Sequence, residues 1–464
     1  MEGVIQLSTV LKQEIPTSVA WKYRVIPKSK NGESITLFSD QETEESKIKS
    51  QLQVLTGKKI QLEFIASSLI DEALTKYYLR TGGEKKKEFS VDSDNFINEV
   101  IAEAHQLGCS DIHIEPYQDR CRIRMRLDGK LIERYELRKE KYHEYINKVK
   151  IIANLDIAEK RLPQDGRIMI KDKTYQYDIR VSILPTLFGE KVVLRLLSSD
   201  ASNLDIKDLG FTKEQFKLFT DAISRTQGMV LISGPTGSGK TTTLYGALKN
   251  LNTVKSNILT IEDPIEYTLE GINQVQLNEK IGLDFATALR TFLRQDPDII
   301  MVGEIRDIDT AKIAVRAAMT GHLVMSTVHT NSAYGIISRL MEMGISDYLI
   351  ADTLNVAVAQ RLVRCLCPAC KEMSTDLEVL PEELKGRNIQ KYYQPKGCNE
   401  CHGTGYKGRR AIYEVIQINN ENRDIILKGE NYPKSHKLDT LMDNALRLFE
   451  EGDTSLEEIY TYLI

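Results

Sequence analysis

The chain has 464 residues, too many for one ordinary domain, and 41% of them are apolar, enough for more than one sizeable core. Its 62 basic and 66 acidic residues leave a formal net charge of −4, which gives no support for a protein that coats nucleic acid. Met1-Glu2-Gly3 opens no basic-then-apolar leader, and no stretch has the length of a membrane-spanning helix. Seven cysteines without a secretory signal argue for a cytosolic compartment and against a disulfide framework.

In chain order, Ser67 to Leu79 places Leu69, Ile70, Ala73, Leu74 and Tyr77 at helical spacing, an amphipathic helix in a small mixed unit over residues 1–82. Gly82-Gly83-Glu84-Lys85-Lys86-Lys87-Glu88 is charged and poor in apolar residues, which predicts a linker over 83–88. Phe96 to Leu107 is again helical. The pattern then switches to strands: Arg122, Arg124 and Arg126 alternate with Ile123, Met125 and Leu127, and Asp128-Gly129 supplies a hairpin turn. Tyr177, Ile179, Val181 and Ile183 form a second alternating run, and Val192 to Leu197 a third. Residues 89–200 therefore read as an α+β domain with an antiparallel sheet.

From 205 to 360 the pattern is βαβ, with apolar strands Met229–Ile232, Ile258–Ile261, Ile299–Val302 and Leu323–Val328 between helices, which implies a mainly parallel, buried sheet. A cysteine-rich insert is expected over 361–411 and a helical C-terminal region over 412–464, where Thr454 and Glu457 fit a capping box opening the last helix.

Gly234-Pro235-Thr236-Gly237-Ser238-Gly239-Lys240-Thr241, followed by Thr242, matches the P-loop pattern between a strand and a helix. The glycines let backbone N–H groups curl around phosphates at the positive end of the following helix. Lys240 reaches the β- and γ-phosphates of ATP, and Thr241 offers its hydroxyl to Mg²⁺. Phosphoryl transfer also needs a metal-side acid and a group that orients water. Glu304 ends strand Ile299–Val302 in Gly303-Glu304-Ile305-Arg306-Asp307, and Glu262 and Glu266 follow strand Ile258–Ile261. One such acid alone is also explained as a solvated side chain; the group beside a P-loop is harder to explain that way. His322 and His329 bracket the strand Leu323–Val328, either as packed structural residues or as sensors of the γ-phosphate.

Five of the seven cysteines crowd between Cys365 and Cys401. Cys367-Pro-Ala-Cys370 and Cys398-Asn-Glu-Cys401 form two C-x₂-C knuckles, a spacing that points to a closed, structural zinc site. Cys365 and His402 compete as ligands, while Cys109 and Cys121 read as core residues.

Taken together, the P-loop, the acidic segment Ile261 to Tyr267, the segment Ile300 to Asp307 and the segment Gly321 to His329 resemble, in this order, the secretion ATPase superfamily of type II secretion, type IV pilus assembly and competence systems. Ser110-Asp111-Ile112-His113-Ile114-Glu115-Pro116 and Leu162-Pro163-Gln164-Asp165-Gly166-Arg167 extend the resemblance into the preceding domain. It implies a multidomain α/β chain: an N-terminal docking domain, a PAS-like α+β domain, a RecA-like P-loop core with a parallel sheet, a zinc-binding insert and a helical tail. It further implies that Glu266 polarises the attacking water with Glu262 near it, and that Glu304 acts through Mg²⁺. Arg167 and Arg180 match the arginines that reach into the nucleotide site from the preceding domain, and Arg290 and Arg294, i and i+4 on the helix Phe285 to Gln295, are candidates from the core side. A surface ion pair explains any one of these arginines equally well, and Arg122, Arg124 and Arg126 read as a solvated or intersubunit sheet face. The implied assembly is a homo-hexamer at the cytoplasmic side of the inner membrane, bound to secretion or pilus platform proteins through its N-terminal and RecA-like domains, with no direct nucleic-acid contact. The metal element favours assembly and secretion motors over retraction motors, and the N-terminal region is shorter than the fullest family versions. A competence-pilus motor is the alternative. A RecA-like nucleic-acid translocase is opposed by the charge and by the lack of interleaved basic and aromatic runs, and a regulatory scaffold without turnover by the pair Glu266 and Glu304.

Overall fold

A computed structural model describes residues 14–32, 34–40, 45–56, 58–78, 87–88, 96–171, 176–197, 205–377, 389–428 and 439–462, with isolated positions at 5, 7, 11, 380, 381, 384 and 387. The N-terminal unit holds helices α1 (Thr17–Tyr23), α2 (Glu45–Thr56) and α3 (Ser67–Tyr77) and strands β1 (Val25–Asn31), β2 (Ser34–Ser39) and β3 (Lys59–Phe64). Strands β1 and β2 pair antiparallel, β2 and β3 parallel. The amphipathic spacing of α3 does what it implies: Ile70, Ala73 and Leu74 are buried in the unit's own core. Leu79, at the end of the expected helix, and residues 83–86 of the expected linker lie outside the described residues. Lys87–Glu88 is not linker but a short strand, β4, joined to the next sheet.

The second unit runs α4 (Phe96–Gln106), β5 (Asp111–Pro116), β6 (Cys121–Leu127), β7 (Lys130–Leu137), α5 (Tyr142–Ile152), β8 (Gln164–Lys171), β9 (Gln176–Thr186) and β10 (Gly189–Leu197). They form a seven-stranded sheet in the order β4-β7-β6-β5-β10-β9-β8, antiparallel except where β4 joins β7. Asp128 and Gly129 both have positive φ, 48° and 83°, the conformation a two-residue hairpin turn requires. Alternation sorts the faces. Ile112, Ile114, Ile123, Met125, Val181 and Leu194 enter the core with Cys109 and Cys121. The opposite face carries Glu115, which meets Arg122, Arg124 and Lys191, and Asp111, which meets Arg126 and Arg195. The arginines of β6 are thus paired within their own sheet.

The core contains α6 (Lys213–Ile223), β11 (Gly228–Ser233), α7 (Lys240–Leu251), β12 (Ile258–Glu262), β13 (Asn273–Gln276), α8 (Phe285–Phe292), β14 (Ile299–Val302), α9 (Ile308–Met319), β15 (Leu323–Val328), α10 (Ala333–Glu342), α11 (Asp347–Thr353) and β16 (Leu354–Leu366). After a small β17 (Glu372–Ser374) and β18 (Tyr392–Gln394) pair come β19 (Tyr406–Gln417), α12 (Asn420–Leu427), α13 (Leu441–Glu450) and α14 (Leu456–Ile459). The sheet order is β13-β12-β14-β15-β11-β16-β19, with β19 antiparallel to β16 and the other pairings parallel. Strands β11, β12, β14 and β15 are buried along their whole length, as expected for a sheet covered on both faces.

The sheet continues past residue 360 through all of β16, and β19 runs on to Gln417, so strand pairing rather than composition sets those boundaries. The last helix begins after Ser455, which makes no side-chain cap bond, and the Thr454 hydroxyl donates to the Arg364 carbonyl at 2.8 Å. A capping box instead opens α13, between Thr440 and Asp443.

Candidate functional site

Strand β11 delivers Gly234 at its C-terminal end, and the chain turns back sharply into α7. A Cβ on Gly234 would lie 2.5 Å from the Gln360 carbonyl oxygen and 2.6 Å from Ser238 Oγ, so no larger residue fits there. Gly239 caps α7 at φ 84°. Lys240 Nζ donates to the carbonyl oxygens of Gly234 (2.8 Å) and Pro235 (3.1 Å). Burial pushes its pKa down, with nearby Glu304 pulling it the other way.

This turn forms one side of a cleft of about 540 Å³. Thr236 to Thr242, Glu262, Glu266, Glu304, Arg306 and His329 line it from the core, and Ser110, Arg195 and Leu196 from the second unit. Glu304 sits just past β14, its carboxylate touching Arg306. His329 Nε2 lies 3.4 Å from Glu304 Oε2, without the geometry of a hydrogen bond. Glu304 Oε2 is a buried oxygen with no hydrogen-bond partner among the described residues, and Glu304 lines the same cleft as Thr241, oxygen donors of the kind that suit a hard cation such as Mg²⁺.

Glu262 and Glu266 are not equivalent. Glu262 is only 3% exposed, and its carboxylate accepts from Tyr245, Thr260 and Gln274. Among the described residues, no hydrogen bond or ion pair engages the Glu266 carboxylate at the cleft wall. The two histidines also part company. A strand rises roughly 3.3 Å per residue, so the two ends of β15 are about 20 Å apart. His329 is at the cleft end, whereas His322 is at the other, its Nδ1 2.9 Å from the Ala317 carbonyl and its own carbonyl accepting from Gly228.

The arginines divide in the same way. Arg180 Nη2 crosses between units to the Ile265 carbonyl at 2.6 Å, inside the loop that carries Glu266. Arg167, its cross-strand partner, is exposed and paired with Asp178. Helix α8 ends at Phe292, short of the expected Gln295, and Arg294 folds back onto the Arg290 carbonyl (3.0 Å). Both of these residues are exposed and neither lines the cleft. Arg195 was missed. It stands opposite Arg180 in the β9–β10 register and opposite Asp111 in the β10–β5 register, so the signal lay in strand pairing.

The cysteine element resolves cleanly. Cys367, Cys370, Cys398 and Cys401 bring their sulfurs within 4.8 Å of one another, with Cys365 and His402 outside the group. Recorded Sγ–Sγ separations are 3.7 to 3.9 Å, and four thiolates around tetrahedral zinc at about 2.3 Å stand about 3.8 Å apart. Burial alone raises the Cys401 thiol, but N–H groups of Cys398 and Gly405 at 3.1 and 3.2 Å hold it down at about 7. The residues present therefore fit a structural zinc ion.

A P-loop after β11, an acid just past β14 two strands away and a second acidic loop after β12, all on one cleft, define a P-loop nucleotide hydrolase. A model of the family described as type II/IV secretion system protein matches residues 87–461. The chain is 41% identical over 485 residues to the type IV pilus assembly ATPase PilB of Myxococcus xanthus, covering 96% of this chain and 85% of that one. It is 44% identical over 404 residues to the type II secretion system protein E of Pseudomonas aeruginosa, covering 86% and 80%. Among solved structures, the pilus retraction motor PilT with bound ADP superposes with a TM-score of 0.52 at 26% identity, covering 79% of this chain and 96% of that one. The ATPase DotB of Legionella pneumophila gives a TM-score of 0.60 at 21% identity, covering 82% and 98%, and shares the fold. The chain belongs to the type II/IV secretion system protein family and is an ATP-hydrolysing enzyme. No helix among the described residues is long and apolar enough to cross a membrane.

Proposed function

We propose that the chain powers assembly of a pseudopilus or pilus, as the motor of a type II secretion or type IV pilus system, working as a homo-hexamer on the cytoplasmic side of the inner membrane. The observation that carries this is the convergence on one cleft of the P-loop, Glu266, Glu304 and Arg195 of a separate domain, with Arg180 of that domain bonded to the loop that carries Glu266. The four-thiol element supports the assembly branch over the retraction branch. In this reading residues 1–82 dock the motor to its membrane platform, the PAS-like second domain moves against the RecA-like core, and residues 367–405 form the zinc element.

The P-loop amides and Lys240 hold the β- and γ-phosphates of ATP. Thr241 and Glu304 would hold Mg²⁺, which when bound neutralises charge on those phosphates. Glu266 orients a water and accepts its proton as the water oxygen bonds to the γ-phosphorus and the bond to the β–γ bridging oxygen breaks. Arg180, with Arg195 and Arg167 in register beside it, steadies the charge on the transferring phosphoryl group. His329 beside Glu304 responds to the γ-phosphate.

Steady-state hydrolysis against protein concentration tests the ring. The rate per subunit rises as subunits assemble, and a rate strictly proportional to concentration from dilute monomer upward sinks the shared site. Lys240→Ala in the host then separates the systems, through loss of secreted enzymes or loss of pili.

A further inference from the structure

Tyr245 lies in α7, five positions after the P-loop lysine, and is 1% exposed. Its hydroxyl donates to one oxygen of Glu262. The other oxygen of Glu262 accepts from Thr260 (2.5 Å) and from Gln274 Nε2 (3.1 Å). Gln274 then spans the acidic loop: its Nε2 donates to the Tyr267 carbonyl (3.2 Å), and its Oε1 accepts from the Leu269 N–H (2.7 Å). The ring of Tyr267 meets that of Tyr245 edge-on, with centroids 4.6 Å apart. The loop carrying Glu266 is thereby tied before and after that residue to a single buried knot, and the knot's far end is the helix that begins at the P-loop.

We propose that Tyr245 is a positioning residue which, through Glu262 and Gln274, holds Glu266 in register with the P-loop. The inference rests on the reading of Glu266 as the water-orienting acid. It also gives Glu262 a different task from its neighbour. A carboxylate already accepting three hydrogen bonds in a buried site is an anchor, whereas Glu266 keeps its oxygens for water.

The test is steady-state ATP hydrolysis by the full-length assembled protein carrying Tyr245→Phe, Gln274→Met, Glu266→Gln and each pair with Glu266→Gln. Removing one hydrogen bond to a buried charge is expected to lower kcat about ten-fold. The KM for ATP stays put, because the P-loop is untouched. Glu262→Gln, which keeps the shape and one acceptor, falls less than Glu266→Gln. On the Glu266→Gln background, Tyr245→Phe and Gln274→Met add no further loss. Equal fractional losses in both backgrounds, or a raised KM with kcat intact, overturn the proposal. Gln274→Met leaves α7 intact, so the test survives if Tyr245→Phe folds badly. A fully active Glu266→Gln protein overturns instead the role of Glu266 itself, and is told apart by that single variant.

Discussion

Arg180 in the second unit donates through Nη2 to the main-chain carbonyl of Ile265 in the core, 2.6 Å away. Strand β9 is therefore bonded directly to the loop that presents Glu266, and any rotation of one unit against the other pulls on the acid. Replacing Arg180 by Ala is expected to lower kcat by about 1,000-fold, the lower end of the span for arginines that stabilise phosphoryl transfer. Arg167→Ala costs less, because Arg167 is exposed and held by Asp178. Initial rates with a coupled phosphate assay check both, and equal losses would contradict the division of labour.

The four thiols predict one zinc per chain. Metal analysis of the purified protein should give that ratio, and Cys401→Ser should reduce it and lower the melting temperature. Structural zinc sites contribute about 10 kcal/mol or more of binding free energy to folding, so strong chelators should unfold the element. No cysteine lines the nucleotide cleft, so nucleotide binding at low temperature should survive metal loss.

Acid should weaken the second unit through Glu115. Burial raises its carboxyl, but hydrogen bonds from Arg124, Lys191 and Arg122 win and hold it at about 2. A folded pKa below the unfolded one contributes stability that is present above the unfolded value of 4.5 and is lost as pH falls through that value toward 2. Denaturant titrations should show Glu115→Gln weaker than wild type by about 2–3 kcal/mol near neutrality. The gap should close toward pH 2.

Lys150, fully buried, pairs with Glu190 at 2.7 Å and donates to the Glu159 carbonyl at 2.6 Å. Breaking a buried pair leaves one charge uncompensated, so Glu190→Gln should cost about 3–5 kcal/mol. The double replacement Lys150→Met with Glu190→Leu should recover most of that loss. Chemical denaturation of the single and double variants checks it, and additive losses would contradict the pairing.

Features written into contiguous residues were legible in the sequence, and those made by pairing were not. The P-loop is local because its phosphate cradle is local, and the alternating runs of β6 and β9 declare a face at every second residue. Two C-x₂-C knuckles name their own partners. Arg195 gave no such sign, since only its register against Arg180 and Asp111 brings it to the cleft. His322 and His329 bracket one strand, as the sequence reads, but only the fold shows that the His329 end is the one that meets the cleft. Helix α8 stops early because Arg294 and Gln295 turn through bonds to Thr291 and Phe292 into Asp296, whose φ is 52°, just ahead of Pro297.

The last pairing before the cysteine element joins Leu366 of β16 to Tyr406 of β19. The polypeptide leaves the sheet and re-enters it at facing positions, so the excursion between them begins and ends at one place. Its closure is already secured by the ladder, and further lengthening costs only about 0.6 kcal/mol for each doubling. The excursion is nonetheless no free appendage: Leu380, Leu384, Ile389 and Tyr392 are buried in the cluster that holds Phe449 of α13 and the sheet strands, so any shorter replacement must cover that apolar surface again.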